Sequence, residues 1–270
     1  MSWNPTTGPT SALVDADAED GILTLTVNRP HKANALSAAV FRDLNAAVSA
    51  AHSDDSVRCV IVTGAGRTFS AGADVAELEN LEGPAAYEFA AAGQFVFDQL
   101  ADLPVPVIAA INGAALGGGL ELALACDLRI ASEGARFGQP EITLANTPGW
   151  GGTQRLPRTI GMGRAMAMML TGLPIDAATA LDYGLITEVV PEGALIGRAE
   201  ELARLLATRS PRAVSAIKQA VRIGQSAGAD AGQRAERLGV QACCGSGPQR
   251  EAVRSFLARH RPDASTRQKG

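Results

Sequence analysis

An α/β core followed by a helical carboxy-terminal region is the fold class that this sequence predicts. Between residues 22 and 131, strand-like apolar runs alternate with glycine-rich turns and helix-period segments, a pattern that builds mostly parallel sheets with ligands near the strand ends. From Trp150 onward the strand signal nearly vanishes, and segments with apolar residues three and four apart take over.

The elements follow in order. Ile22 to Val27 alternates as a strand and is stopped by Asn28-Arg29-Pro30. Ser37 is placed to cap a helix whose Val40, Phe41, Leu44 and Val48 share one face. Arg58 to Thr63 reads as a buried strand, Val105 to Ile111 as another, Gly118 to Ala125 as a helix and Leu128 to Ala131 as a strand. Helices are expected over Gly163–Leu170, Asp176–Tyr183, Ala194–Thr208, Pro211–Ile223 and Gln249–His260, with only Leu185–Val190 strand-like between them.

Length and composition set the bounds. A chain of 270 residues can bury a substantial core as one domain, or as a core with an appended helical region. Its 46% hydrophobic and 19% charged residues match a soluble globular protein, and a net charge of −4 supplies no general attraction for nucleic acid or anionic membranes. Leu103 to Leu120 is uncharged and long enough to span a bilayer. Pro104, Pro106, Asn112, Gly113 and three successive glycines interrupt it, so its backbone would be left unsatisfied in lipid, and no membrane association is expected. Cys59 and Cys126 lie in apolar runs, Cys243 and Cys244 are adjacent, and no C-x-x-C occurs, which points to a reducing compartment and no zinc site. Residues 1–20 lack the basic and apolar regions of a secretory signal, so a cytoplasmic location is expected.

Two glutamates in apolar, glycine-punctuated surroundings carry the chemistry: Glu121 in Gly117-Gly118-Gly119-Leu120-Glu121-Leu122 and Glu141 in Phe137-Gly138-Gln139-Pro140-Glu141-Ile142. Burial disfavours the ionised form, so such carboxyls are expensive unless paired or used. The amino end of an all-apolar helix beginning at Gly118 would present free N–H groups and a partial positive charge, and the glycines let a ligand oxygen approach. The same glycines equally fit a tight strand-to-helix turn, with Glu121 capping the helix from its third position. Arg67 to Asp74 offers a second donor, the Ala73 N–H, or else a surface loop leading into a helix capped by Asp74. Gly64-Ala65-Gly66-Arg67-Thr68-Phe69 has phenylalanine where a dinucleotide fingerprint needs its last glycine, and no P-loop occurs. His31, His52 and His260 sit in polar surroundings, which leaves no candidate histidine base or metal ligand.

Four segments in order, Phe69-Ser70-Ala71-Gly72-Ala73-Asp74, Asn112 to Ala123, Phe137 to Glu141 and Pro148-Gly149-Trp150-Gly151-Gly152-Thr153-Gln154-Arg155-Leu156, resemble the crotonase, or enoyl-CoA hydratase/isomerase, superfamily. The resemblance runs from about Ile22 to Pro262. It implies an α/β, crotonase-like spiral of ββα units with a carboxy-terminal helical region, divided as a poorly ordered segment 1–20, a catalytic core 21–195, an oligomerisation and CoA-contacting region 196–262 and a tail 263–270. It also implies an acyl-CoA thioester substrate, no permanently bound cofactor, coenzyme A as part of the substrate, and assembly as a homotrimer or dimer of trimers.

The site residues it implies are the catalytic Glu121 and Glu141 with the N–H groups of Ala73 and Gly118. Contacts to substrate and CoA fall to Ala33, Ala35, Leu36, Ala71, Asp74, Val75, Gly149, Phe256 and Arg259. Relatives usually have a glycine near Ala145, an apolar residue near Thr147 and a small residue where Trp150 stands, so an altered acyl pocket is expected. Both glutamates together favour a hydratase. The alternatives are an isomerase or other acyl-CoA lyase using one acid, and a non-catalytic RNA-binding relative, for which no basic patch with interleaved aromatics is present.

Overall fold

The first strand pair is set by Asp20-Gly21, both in the left-handed region (φ 50° and 79°), which folds a two-residue hairpin between β1 (Val14–Glu19) and β2 (Ile22–Val27). Val14 lies opposite Val27 and Glu19 opposite Ile22. The expectation of a poorly ordered segment over 1–20 is therefore corrected for Val14–Glu19; the Asp-Gly turn was the sequence signal for it. The computed structural model describes residues 12–79 and 81–260, so residues 1–11 of that segment and the tail 263–270 lie outside the described residues.

Beyond β2 the chain turns through the 3-10 segment Pro30–Lys32 and enters α1 (Ala38–Ser53), where the Ser37 hydroxyl accepts the Val40 N–H as expected. Next come β3 (Cys59–Gly64), β4 (Thr68–Ser70), α2 (Val75–Leu78), α3 (Gly83–Asp102), β5 (Val107–Ile111), β6 (Ala114–Leu116) and α4 (Gly118–Ala125). They are followed by β7 (Leu128–Ser132), β8 (Arg136–Gly138), α5 (Gly152–Ile160), α6 (Met162–Thr171), β9 (Ile175–Asp176), α7 (Ala177–Asp182), β10 (Glu188–Val190) and α8 (Leu195–Ala207). One sheet has the order β1-β2-β3-β5-β7-β10, parallel from β2 onward; the other, β4-β6-β8-β9, is parallel except at β9. The pairs β3–β4, β5–β6 and β7–β8 each place one strand in each sheet before the chain turns back, which is the spiral of ββα units.

Alternation along the strands divides the core between two faces. Val60, Val62, Val107, Ala109 and Ile111 face α1, α3 and α4, where Val40, Phe41, Leu44, Phe97 and Leu100 fill the space. Each such side chain contributes about 1.5–3 kcal/mol by leaving water, far more than helix propensity adds per residue. Cys59, Ile61, Ile108 and Ala110 face the other way, and Leu195, Ala199 and Ala203 of α8 cover them. This corrects the expected boundary at 195/196. The helix spaces its small apolar residues four apart and spends that stripe on the sheet, so the chain divides into units Met1–Thr208 and Arg209–Gly270.

The second unit holds α9 (Pro211–Ala227), α10 (Ala229–Cys243) and α11 (Gly247–Arg259). A Cβ on Gly232 would stand 2.8 Å from the Gly224 Cα, and one on Gly239 3.0 Å from the Ala216 Cβ, so α9 and α10 run antiparallel with small residues between them.

Candidate active site

At α4 the sequence dictates the geometry most directly. Gly117 adopts φ 51° and ψ −124°, a conformation closed to residues with a Cβ, and so turns β6 sharply into the helix while its N–H donates to the Gly138 carbonyl at 2.9 Å. Every residue of α4 is buried. Its first N–H, on Gly118, has no protein acceptor among the described residues.

The second donor comes from the loop after β4. Leu36 N–H donates to the Gly72 carbonyl at 2.7 Å and Asp74 N–H to the Leu36 carbonyl at 3.0 Å, an isolated bridge that leaves the Ala73 N–H between them without a protein acceptor among the described residues. The fully buried Ser70 hydroxyl donates to the Asn34 carbonyl at 2.9 Å and accepts the Gly72 N–H at 3.2 Å. A Cβ on Gly72 would lie 3.2 Å from the Gly118 nitrogen, so the two donor segments are in contact. Asp74 caps α2 and forms an ion pair with Arg29 at 3.0 Å, and that bond holds its carboxyl below the usual range.

Glu121 is 1% exposed and does not cap its own helix. Its Oε1 accepts the N–H groups of Trp150 at 2.8 Å, from the loop ahead of α5, and of Gly152 at 2.6 Å, the first residue of that helix. Burial raises this carboxyl to about 7; the Gly152 and Trp150 N–H groups pull it down, and the neighbouring Glu141 charge pushes it up. Glu141 sits in the 3-10 turn Pro140–Leu144, beside Gly117, where a Cβ would lie 3.0 Å from its Oε1, and burial raises its pKa too. The Gln139 amide, oriented by its hydrogen-bonding neighbours, donates to both Glu141 oxygens at 2.8 and 3.1 Å. Sequence reasoning missed Gln139; a buried amide two residues before an acid was its only signal.

The raised Glu121 pKa has a stability consequence. A carboxyl whose pKa is higher in the folded state than in the unfolded state stabilises fully below about 4.5, and that contribution is lost as pH rises through about 7. The difference is about 3 kcal/mol. Glu121→Gln is therefore expected to match the wild type in stability near pH ~5 and to exceed it by an amount of that order near pH ~9. Urea denaturation at the two pH values checks this, and an equal difference at both would exclude a neutral-preferring Glu121.

Ala71, Ala73, Val75, Gly118, Glu121, Glu141 and Gly149 line one cavity of about 510 Å³. Ala33, Ala35, Leu36 and Asp74 are not among its lining residues. Leu36 is fully buried in the core and both its backbone groups are used by the bridge, which leaves its side chain no route to a ligand. Phe256 and Arg259 lie on α11 in the second unit, exposed, with Phe256 stacked on His260 at 4.2 Å. The cavity also uses Leu81, Ala86, Phe89, Ala90 and Trp150, several of them from α3. No expectation placed a helix there, although Gly93, Val96, Phe97 and Leu100 carried its period. Among the described residues no group of three or more His, Cys, Asp or Glu side chains is arranged to hold a metal ion, and no helix is long and apolar enough to cross a membrane.

Comparison with known proteins places the chain in a family. A sequence model described as enoyl-CoA hydratase/isomerase matches residues 17–266. A short-chain-enoyl-CoA hydratase of Clostridium acetobutylicum is 39% identical over 246 residues, covering 91% of this chain and 94% of its own. A crotonyl-CoA hydratase of Syntrophomonas wolfei is likewise 39% identical, over 91% of this chain and 95% of its own. The crystal structure of an enoyl-CoA hydratase from Bacillus anthracis superposes with a TM-score of 0.87 at 38% identity, covering 93% of this chain and 98% of that one. With two N–H donors that find no protein acceptor among the described residues, a buried and a half-buried carboxyl lining the same cavity, and matches that run nearly end to end, the chain belongs to the enoyl-CoA hydratase/isomerase family.

Proposed function

We propose that the protein adds water across the 2,3 double bond of a short trans-2-enoyl-CoA to give the 3-hydroxyacyl-CoA. The observation that carries this reading is that Glu121 and Glu141, both with raised pKa values, line the same cavity as Ala73 and Gly118. The names of the two hydratase relatives support a short acyl group.

In this reading the thioester oxygen accepts from the Ala73 and Gly118 N–H groups. Water bound between the carboxyls loses a proton to the ionised Glu121 as its oxygen bonds to C3. The π electrons move through C2 to the thioester oxygen, giving an enolate that the two donors and the α4 amino end stabilise; each donor is worth roughly 3–4 kcal/mol of barrier. Collapse of the enolate takes the proton of Glu141 onto C2. One proton has entered at Glu121 and one has left from Glu141, so a proton shift between the pair restores the site, and their titration belongs to the pair rather than to either residue. Coenzyme A enters only as part of the substrate.

The CoA moiety is assigned to the surface of the first unit around Ala33, Ala35, Ala71, Asp74, Val75 and Gly149, with the Leu36 backbone holding the Ala73 loop in place. Assembly as a trimer or a dimer of trimers belongs to the same proposal, supported by the exposed apolar Ile217, Val221, Leu238, Phe256 and Leu257 of the second unit. So does a cytoplasmic location, supported by Cys59 and Cys126 lying reduced in the core, with no disulfide among the described residues.

Incubation with four-carbon trans-2-enoyl-CoA is expected to bleach the conjugated thioester absorbance and to yield a product heavier by one water. Inertness toward trans-2-enoyl-CoA of every length from about four to ten carbons would sink the reading. Conversion of a 3-enoyl to a 2-enoyl thioester without hydration would replace it with isomerase chemistry.

A further inference from the structure

Trp150 is the bulkiest side chain lining the cavity, and it is wedged rather than merely packed. It is 3% exposed. One edge of its indole lies where a Cβ on Gly118 would be, and the other where a Cβ on Gly93 of α3 would be. Behind it stand Phe41, Phe89 and Phe97, with ring centroids at 4.8, 5.4 and 6.0 Å. The ring therefore fills a passage between α3 and the start of α4 that two glycines leave open, with three phenylalanine rings packed against it.

We infer that Trp150 is the residue that limits acyl chain length, closing the pocket behind a short enoyl group. The inference rests on the proposed hydration and goes further by assigning its size limit to one side chain. With the thioester oxygen at the Gly118 N–H and C3 facing the carboxyls, the far end of the acyl group points toward the wall beside Glu121. Trp150 is that wall: its own N–H donates to Glu121, and its ring covers the Gly118 Cα.

The side chain can be tested apart from the acid–base machinery because backbone bonds fix the loop around it. Besides the bond to Glu121, the Trp150 carbonyl accepts from Arg155 at 2.9 Å and the Gly149 carbonyl from Gln94 at 2.8 Å. Trp150→Ala keeps all of these groups and opens a recess lined by Gly93, Phe41 and Phe97. Each additional buried methylene is worth about fourfold in binding, and pockets discriminate by tenfold or more per methylene where fit is tight.

The experiment measures kcat/KM for trans-2-enoyl-CoA thioesters of four, six, eight and ten carbons with the wild type, Trp150→Phe and Trp150→Ala. The wild type is expected to favour four carbons. Trp150→Ala is expected to raise the ten-carbon to four-carbon ratio by at least about tenfold, and Trp150→Phe by less. A merely structural role would lower all four rates together and leave the ratio unchanged, which overturns the inference. So does a wild type that hydrates four and ten carbons equally well, which would send the acyl group out past Leu78 and Leu144 instead. Should the alanine variant not fold, the ratios for Trp150→Phe and Trp150→Leu decide by the same criterion. A wild type that hydrates no enoyl-CoA removes the proposed function itself, a failure distinct from a chain-length profile that ignores Trp150.

Discussion

Glu121→Gln and Glu141→Gln are each expected to lower kcat for hydration of a four-carbon trans-2-enoyl-CoA by about 10²–10⁴-fold while changing KM little. Glutamine keeps the size of each side chain. At position 121 its amide oxygen can still accept the Trp150 and Gly152 N–H groups that Oε1 accepts now, so the loop ahead of α5 keeps its anchor. What is lost is the ability to take or give a proton. Because both carboxyls act on one water and one enolate, the double variant should cost little more than the worse single one. Steady-state kinetics on the three variants checks this. Full activity in either single variant would remove that residue from the reaction, and loss confined to Glu141→Gln would favour one-acid isomerase or lyase chemistry.

Gly118→Ala is expected to lower kcat by about 10²–10³-fold, the cost of disturbing one oxyanion donor. The added methyl has no free space: it would coincide with the Trp150 ring, which is held from behind by Phe41 and Phe97. Either the indole or the first turn of α4 must move, and the Gly118 N–H moves with that turn. Overpacking of this kind also costs about 1–3 kcal/mol of stability. Kinetics paired with urea denaturation separates the two effects, and a folded variant with unchanged kcat would show that this N–H does not hold the thioester oxygen.

Much of the fold was legible because it is local. Ile22–Val27, the Ser37-capped helix and the helix from Gly118 to Ala125 follow from alternation, capping and apolar runs in single stretches of chain. α3 was not read, since its first two turns are alanine-rich and half-exposed and its apolar stripe emerges only from Gly93 onward. β4, β6 and β8 are three residues each, too short for alternation to register, and exist because the second sheet pairs them with one another. The Leu185–Val190 run narrowed to Glu188–Val190, the part that finds a partner in β7.

For the site, the sequence alone determined the ingredients: two carboxyls that would be costly to bury and glycines that permit a tight entry into an all-apolar helix. Only the tertiary structure decided what those ingredients meet. Glu121 is held by N–H groups 29 and 31 residues away, not by its own helix end. Trp150 lies between two glycines on different helices, and α8 spends its stripe on the sheet. Periodicity and propensity act over a few residues, whereas a carboxyl's pKa, a donor's freedom and a pocket's depth depend on which distant backbone fills the next few ångströms. That is fixed when the two sheets and their helices close around a shared core.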